Sequence, residues 1–442
     1  MQNTPIWQPN ADEKTQMDAY LQFLQQNYHL SFTDYPTLHQ WSIEHTELFW
    51  QSLAEFFAIH FKTPPKTLMS ASHNMWETRW FEGASLNFAE HILRHREGLA
   101  ILAYDEQSKT QSLSFSQLRQ AVAVYAHILR QKGIQKGDRV VAVLPNIPEA
   151  VIAMLATASI GAIWASCSPD FGERALVDRF AQIEPKCIFA IKNHQYAGKK
   201  FSNTEKIAHL KASIPSLEHL IWVDEVDVSD GSRPLEFEAV DFNHPLCILF
   251  SSGTTGKPKC IVHRSGGVLL QHFKELGLHS NLTASDRLLF YTTCGWMMWN
   301  WMLSALGLGT TLVLYDGSPM YPTQHRLLDV LSESETTVWG SSAAFFASLE
   351  KNQVQYDVKK LAKLKLILST GSPLLPAQYD FIEKLLGRAI QMSSISGGSD
   401  IISCFALGHP KLPVYRGELQ CLGLGMAVDV FDEHGHSTHG QG

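Results

Sequence analysis

Residues 246–259 read Leu246-Cys247-Ile248-Leu249-Phe250-Ser251-Ser252-Gly253-Thr254-Thr255-Gly256-Lys257-Pro258-Lys259. The apolar run Leu246 to Phe250 predicts a buried strand, and the hydroxyl- and glycine-rich string after it predicts a loop leaving the strand's end. In such a loop main-chain N–H groups and side-chain hydroxyls converge on phosphate oxygens, while lysines add positive charge. A polyphosphate such as that of ATP suits this chemistry. The loop is not of the Walker A type, which spaces its glycines further apart and places Ser or Thr after its lysine. Here only Thr254 and Thr255 separate Gly253 from Gly256, and Pro258 follows Lys257.

Outward from this point, short β-rich apolar runs alternate with helical stretches. Upstream lie Arg139 to Leu144, Glu149 to Ile160, Ala162 to Cys167 and Glu173 to Ile183. Downstream come Lys259 to His263, a helix from Gly266, Arg287 to Tyr291, a helix from Met297, Thr310 to Leu314 and a helix from Thr323. Thr337 to Trp339, a helix from Ala343, Lys365 to Ser369 and Ala389 to Met392 complete the series. This alternation predicts βαβ units, and so many strands call for an α/β fold of two doubly wound lobes with mostly parallel sheets. Residues 1–99 carry Trp and Phe on amphipathic helical segments such as Thr46 to Phe61, with no run of strands, and read as a helical N-terminal cap. The tail from Tyr415 reads as hairpins, the start of a small β-rich lobe.

Composition excludes several classes. An apolar share of 45% and a charged share of 18% are those of a globular protein. The net charge of -7 and the absence of any Lys/Arg run longer than a pair give no electrostatic reason to expect nucleic acid or an anionic membrane as partner. Small-molecule substrates are expected instead. The seven cysteines are scattered and never in a Cys-x-x-Cys spacing, which argues against a disulfide frame or zinc site and for a reducing compartment such as the cytosol. The polar start Met1-Gln2-Asn3-Thr4-Pro5 lacks the basic and apolar segments of a secretory signal. The uncharged stretch Ala150 to Pro169 is interrupted by Gly161 and reads as a buried helix entering a buried strand. Glu433, His434, His436 and His439 lie in a turn composition without metal-ligand spacing.

The string Ser251 to Lys259 resembles the phosphate loop of adenylate-forming enzymes: acyl-CoA synthetases, luciferases and peptide-synthetase adenylation domains. Ser251, Ser252, Gly253, Thr254, Thr255, Gly256 and Lys257 are thereby expected at ATP, with Thr254 and Lys257 acting in catalysis. Downstream, Ser369-Thr370-Gly371-Ser372-Pro373 resembles the adenine-contacting turn. Ile395-Ser396-Gly397-Gly398-Ser399-Asp400 stands where the family has a block ending in Thr-Glu, whose hydroxyl approaches the α-phosphate and whose acid holds Mg2+. Asp400 is shorter by one methylene but remains a hard oxygen ligand.

Trp80 to Glu90 resembles the N-terminal signature of the acetyl-CoA and acetoacetyl-CoA synthetase branch. Thr292 to Trp301 resembles the acyl-pocket segment, which points to Trp296, Met297 and Met298 as pocket residues. In acetate enzymes bulky Trp residues precede the acid-bearing block; Gly397 and Gly398 stand there here, which is expected to admit a longer acid, as in the acetoacetate-activating members of the branch. The Thr370 hydroxyl is expected either to hydrogen-bond a β-keto oxygen or to be satisfied by backbone. Lys199 and Lys200, in Tyr196-Ala197-Gly198-Lys199-Lys200, lie where related enzymes hold the coenzyme A 3′-phosphate, and a solvated lysine pair is the alternative.

The resemblance implies an acid–thiol ligase using ATP, Mg2+ and coenzyme A through an acyl-adenylate. It also implies that residues 100–442 form an AMP-binding large domain, incomplete at its C-terminal end. The mobile C-terminal domain that completes catalysis would lie beyond these residues, so the 442-residue chain is expected to form adenylate very slowly. A ligase for another short acid such as butyrate, a non-catalytic nucleotide-binding module and a carrier-loading adenylation domain remain as alternatives.

Overall fold

A computed structural model describes residues 4–229, 233–251 and 256–438. The predicted alternation resolves into two large sheets among these residues. The first runs in the order His219–Trp222, Cys187–Ala190, Arg139–Val143, Ile163–Cys167, Pro245–Ser251, Lys259–Arg264, parallel throughout except for the last pair. The second runs Gln391–Ser394, Leu366–Thr370, Val338–Ser342, Arg287–Phe290, Thr311–Tyr315, Leu99–Tyr104, Lys109–Ser114, again with one antiparallel pair at an edge. Parallel strands are covered on both faces, which is why runs such as Val140 to Val143 are apolar without alternation and fully buried.

Leu99–Tyr104 and Lys109–Ser114 lie ahead of the first strand picked out by the sequence pattern, Arg139 to Leu144. They join the second sheet beside Thr311–Tyr315, so that sheet begins before the first one in the chain and ends after it. Short strands also occur in the N-terminal region, where Thr67–Ser70 pairs with Arg79–Glu82. The helix expected over Thr46 to Phe61 is Thr46–Phe56, stopping ahead of Pro64 and Pro65. With Gln16–Tyr28 and Tyr35–Glu44 it buries Tyr20, Leu24, Phe49 and Leu53 in the same core as Phe273, and the Phe57 and Phe273 rings meet at 5.6 Å.

The helix Pro148–Ser159 is buried on nearly every side and packs against the helices Phe115–Gln131 and Phe88–Ile92. Pro148 stands in its first turn, where a missing N–H costs no helical bond. Gly161 at φ +72° turns the chain into the buried strand Ile163–Cys167. No helix among the described residues is long and apolar enough to cross a membrane. The tail supplies Cys421–Leu422 as third strand of an antiparallel sheet with Ser403–Leu407 and Ser396–Gly398. Beyond it a turn is closed by Asp432, whose carboxylate accepts the N–H groups of His434 and His436; His439 lies outside the described residues.

In each large sheet one strand, Arg139–Val143 or Arg287–Phe290, is flanked by strands that the chain reaches in opposite directions. Crevices open at the C-terminal ends of strands at such reversals.

Candidate active site

Pro245–Ser251 and Lys259–Arg264 pair antiparallel, with Ser251 opposite Lys259, so the two ends of the phosphate-loop string stand side by side. Ser252, Gly253, Thr254 and Thr255 lie outside the described residues; Gly256 and Lys257 are exposed just ahead of the returning strand. On the returning strand His263 is buried, and its Nε2 donates to the Ser399 carbonyl at 2.7 Å. Burial holds its imidazole below the usual histidine pKa, so the ring is neutral, with its proton on the nitrogen facing that carbonyl. One hydrogen bond thus joins the phosphate-loop hairpin to the residue before Asp400.

The other half of the site stands on the second sheet. Leu366–Thr370 and Gln391–Ser394 are parallel neighbours with Ser369 opposite Ser394, which brings both strand exits to one edge. Gly371, at φ +89°, turns the chain out of the first, and Gly371, Ser372 and Pro373 are exposed there. The Ile395 N–H donates to Ser369 O at 2.8 Å and the Thr370 hydroxyl donates to Ile395 O at 2.9 Å, binding the two exits together. Ser396–Gly398 then forms a hairpin with Ser403–Leu407. Asp400 is exposed at its tip, with Ser399 half-buried beside it.

The local geometry bears on two of the sequence expectations. The Thr370 hydroxyl has one proton, and Ile395 O accepts it, so the backbone-satisfied alternative holds; a keto oxygen is an acceptor and would have to displace that bond. Thr370→Val is expected to cost about 1 kcal/mol of stability through loss of that hydrogen bond, read by denaturant titration. The two glycines also differ. A Cβ on Gly397 would sit 2.0 Å from Ser403 O and 2.6 Å from Cys404 Cα, whereas one on Gly398 would meet nothing within 4 Å. Close strand approach therefore requires Gly397, and space in front of the hairpin exists at Gly398.

The helix Met297–Leu303, in the segment expected to line an acyl pocket, divides its side chains. Trp296, its N-cap, is 63% exposed, while Met297, Met298, Trp299 and Trp301 are buried. The Trp299 indole donates to Asn146 Oδ1 at 3.0 Å and that of Trp301 to Glu275 Oε2 at 2.8 Å, so these two anchor the segment in the core. Upstream, Cys294 O accepts the Ser166 hydroxyl at 2.6 Å, which ties the segment to the first sheet.

Glu275 escaped the sequence reading. It lies in the π-helical turn Lys274–His279 that extends the helix Ser265–Phe273, and both it and Lys274 are fully buried. Its carboxylate accepts the Trp301 indole, the Ser403 hydroxyl at 2.5 Å, the Cys404 N–H at 3.1 Å and the Gln271 amide at 3.2 Å, with Lys274 Nζ 3.7 Å away. Nearby, His272 bonds Ile402 O and Ser304 Oγ. One helix thereby fixes both the acyl segment and the hairpin carrying Asp400. The helical run of residues 265–273 was legible; a carboxylate and an ammonium turned inward just beyond it were not, because charged residues normally mark the solvated face.

Lys199 and Lys200 stand on the returning strand of the hairpin Asn193–Tyr196 / Lys199–Ser202, both exposed. Adjacent strand residues face opposite sides. Lys200 lines an inter-lobe cavity of ≈ 800 Å³ with Asp105, Glu106, Glu149 and Asp316; Lys199 does not. Burial, reinforced by Glu106 and Asp105, pushes the Asp316 carboxyl up to about 7.

Comparison with known proteins identifies the class. A model described as AMP-binding enzyme matches residues 88–437, and one described as acetyl-coenzyme A synthetase N-terminus matches residues 35–92. The chain belongs to the AMP-binding enzyme family. Within it, the chain is similar to the acetoacetyl-CoA synthetase of Mus musculus, 41% identical over 98% of this chain and 69% of the mouse protein. The acetoacetyl-coenzyme A synthetase of Rhizobium meliloti (strain 1021) is 40% identical over 99% of this chain and 70% of its own. The solved structure of acetoacetyl-CoA synthetase from Streptomyces lividans matches with a TM-score of 0.92 and 37% identity, over 98% of this chain and 71% of that one.

Proposed function

We propose that this protein activates acetoacetate with ATP, releasing diphosphate, and passes the acyl group from the adenylate to the sulfur of coenzyme A, releasing AMP. The observation that supports it most is the convergence at one edge of three sequence-distant pieces. The phosphate-loop hairpin reaches Ser399 through His263, and the adenine turn is bonded to the start of the Asp400 block. Relatives named for acetoacetate match across nearly the whole chain.

Adenylation needs the carboxylate and the α-phosphate in line, with the growing charge stabilised, and requires no protein nucleophile. In this reading Lys257 and the loop hydroxyls take the polyphosphate, the Ser399 hydroxyl approaches the α-phosphate, and the turn Gly371 to Pro373 receives the adenine. Asp400 fits a magnesium ion held jointly with ATP: it is a single exposed carboxylate, and no group of three His, Cys, Asp or Glu among the described residues forms a ready cage. When bound, the ion neutralises phosphate charge. The buried, unpaired cysteines such as Cys167, Cys247 and Cys294 support a reducing compartment such as the cytosol.

Acid-dependent ATP–diphosphate exchange provides the test, run with acetoacetate, butyrate and acetate. Acetoacetate is expected to exchange fastest, and Asp400→Asn to slow exchange by about a hundredfold or more. Equal exchange with acetate, or an Asp400→Asn variant as fast as the parent, would remove the reading.

A further inference from the structure

We propose that Glu106 is a positioning residue for coenzyme A: its buried carboxylate holds the turn that presents Lys199 and Lys200, and thereby sets affinity for the 3′-phosphate. This rests on the coenzyme A reading of those lysines. Glu106 lies in the link between Leu99–Tyr104 and Lys109–Ser114, on the second sheet, and is 2% exposed. The lysine hairpin follows the strand Cys187–Ala190 of the first sheet. Across that divide the carboxylate accepts the N–H of Ala197 at 2.5 Å, the N–H of Gly198 at 2.8 Å and the Gln195 amide at 3.5 Å. From its own lobe it accepts the Ser318 N–H at 2.8 Å.

The turn needs such a hold. Ala197 at φ +49° and Gly198 at φ +75° are both left-handed, and for alanine that conformation costs about 1 kcal/mol or more, so it persists only where its surroundings impose it. The fit around the carboxylate leaves no slack. A Cβ on Gly317 would lie 2.3 Å from Glu106 Cγ, and one on Gly198 would lie 2.4 Å from the Tyr321 hydroxyl. Lys200 also borders the cavity that Asp105, Glu149 and Asp316 line. Its ammonium already shares a cavity with those carboxyl groups, so where the turn sits sets how much of its charge reaches an incoming phosphate. The carboxylate touches neither phosphate nor reacting atoms; it acts through the turn.

The test is equilibrium titration of the protein with coenzyme A and with dephospho-coenzyme A, with ATP affinity measured alongside. The parent is expected to prefer coenzyme A by about tenfold, the value of one to two charge-assisted bonds to the 3′-phosphate. Lys199→Ala with Lys200→Ala should abolish that preference. Glu106→Gln, which keeps the shape but loses the anion, should reduce it to about threefold or less while ATP affinity stays within about twofold. Ala197→Gly added to Glu106→Gln should restore part of it by removing the left-handed penalty.

A parent without preference defeats the coenzyme A reading of the lysines and this inference with it. Preference lost in the lysine variant but intact in Glu106→Gln overturns the role of Glu106 alone. Parallel loss of ATP affinity in Glu106→Gln also overturns it, since a general loosening of the fold would then be the cause.

Discussion

Glu275→Ala is expected to destabilise the protein by about 3–5 kcal/mol, because it leaves the Lys274 ammonium buried without its counter-charge. Lys274 is fully buried, and the Leu424 carbonyl, at 2.8 Å, accepts one of its protons. Burial already pulls its pKa down, opposed by Glu275. Without Glu275 the folded form sheds that proton more readily, while the unfolded chain keeps it up to about pH 10. The unfolded state then binds more protons than the folded one, so stability rises with pH and the deficit narrows between pH 7 and pH 9. Denaturant titrations at the two pH values check both points. A loss below about 1 kcal/mol, or a deficit that widens with pH, would show that the pair does not act as described. Activity should fall as well, since Trp301, Ser403 and Cys404 lose a common acceptor and the Asp400 hairpin loses its seat.

Gly397→Ala is expected to reduce acid-dependent diphosphate exchange by about a hundredfold, the effect of displacing a reacting centre by about 1 Å. The obstacle is backbone: a methyl group 2.0 Å from Ser403 O and 2.9 Å from Ser403 C has no flexible neighbour to push aside, so the strands must part. Their turn carries Asp400. Overpacking of this kind costs about 1–3 kcal/mol, and a melting curve should record it. Gly398→Ala, which adds its methyl to open space, should leave the melting temperature unchanged within about 1 °C. Equal melting temperatures for the two variants would mean that the hairpin yields more readily than its geometry indicates.

Both residues bear on what can be read from a sequence. The Gly-Gly pair was legible as an absence of side chains, and the inference drawn was room for a longer acid. The tertiary structure assigns the two glycines different duties, because whether a missing side chain leaves a void or admits another strand depends on which backbone lies opposite. Thr370 was likewise identified as a hydroxyl at the mouth of a strand. The direction of its proton was decided by Ile395, 25 residues on. Glu106 and Glu275 were not legible at all: a lone carboxylate in a loop or after a helix reads as solvated surface, and only assembly of the lobes buries it against N–H donors.

The sequence by itself determined the class of fold, the order of the motifs and the family. Period-2 and period-3.6 apolar patterns are local properties of consecutive residues, and the loop Ser251 to Lys259 is a local string whose chemistry follows from its composition. It did not determine which strands share a sheet. Leu99–Tyr104 joins Thr311–Tyr315 across an entire intervening lobe. Nor did it determine that His263 would meet Ser399, that Glu275 would seat the hairpin of Asp400, or that Glu106 would close on the turn before Lys199. Those contacts join residues far apart in the chain through hydrogen bonds made only once it has folded, and nothing in a local pattern encodes the partner of a group that folding brings from elsewhere.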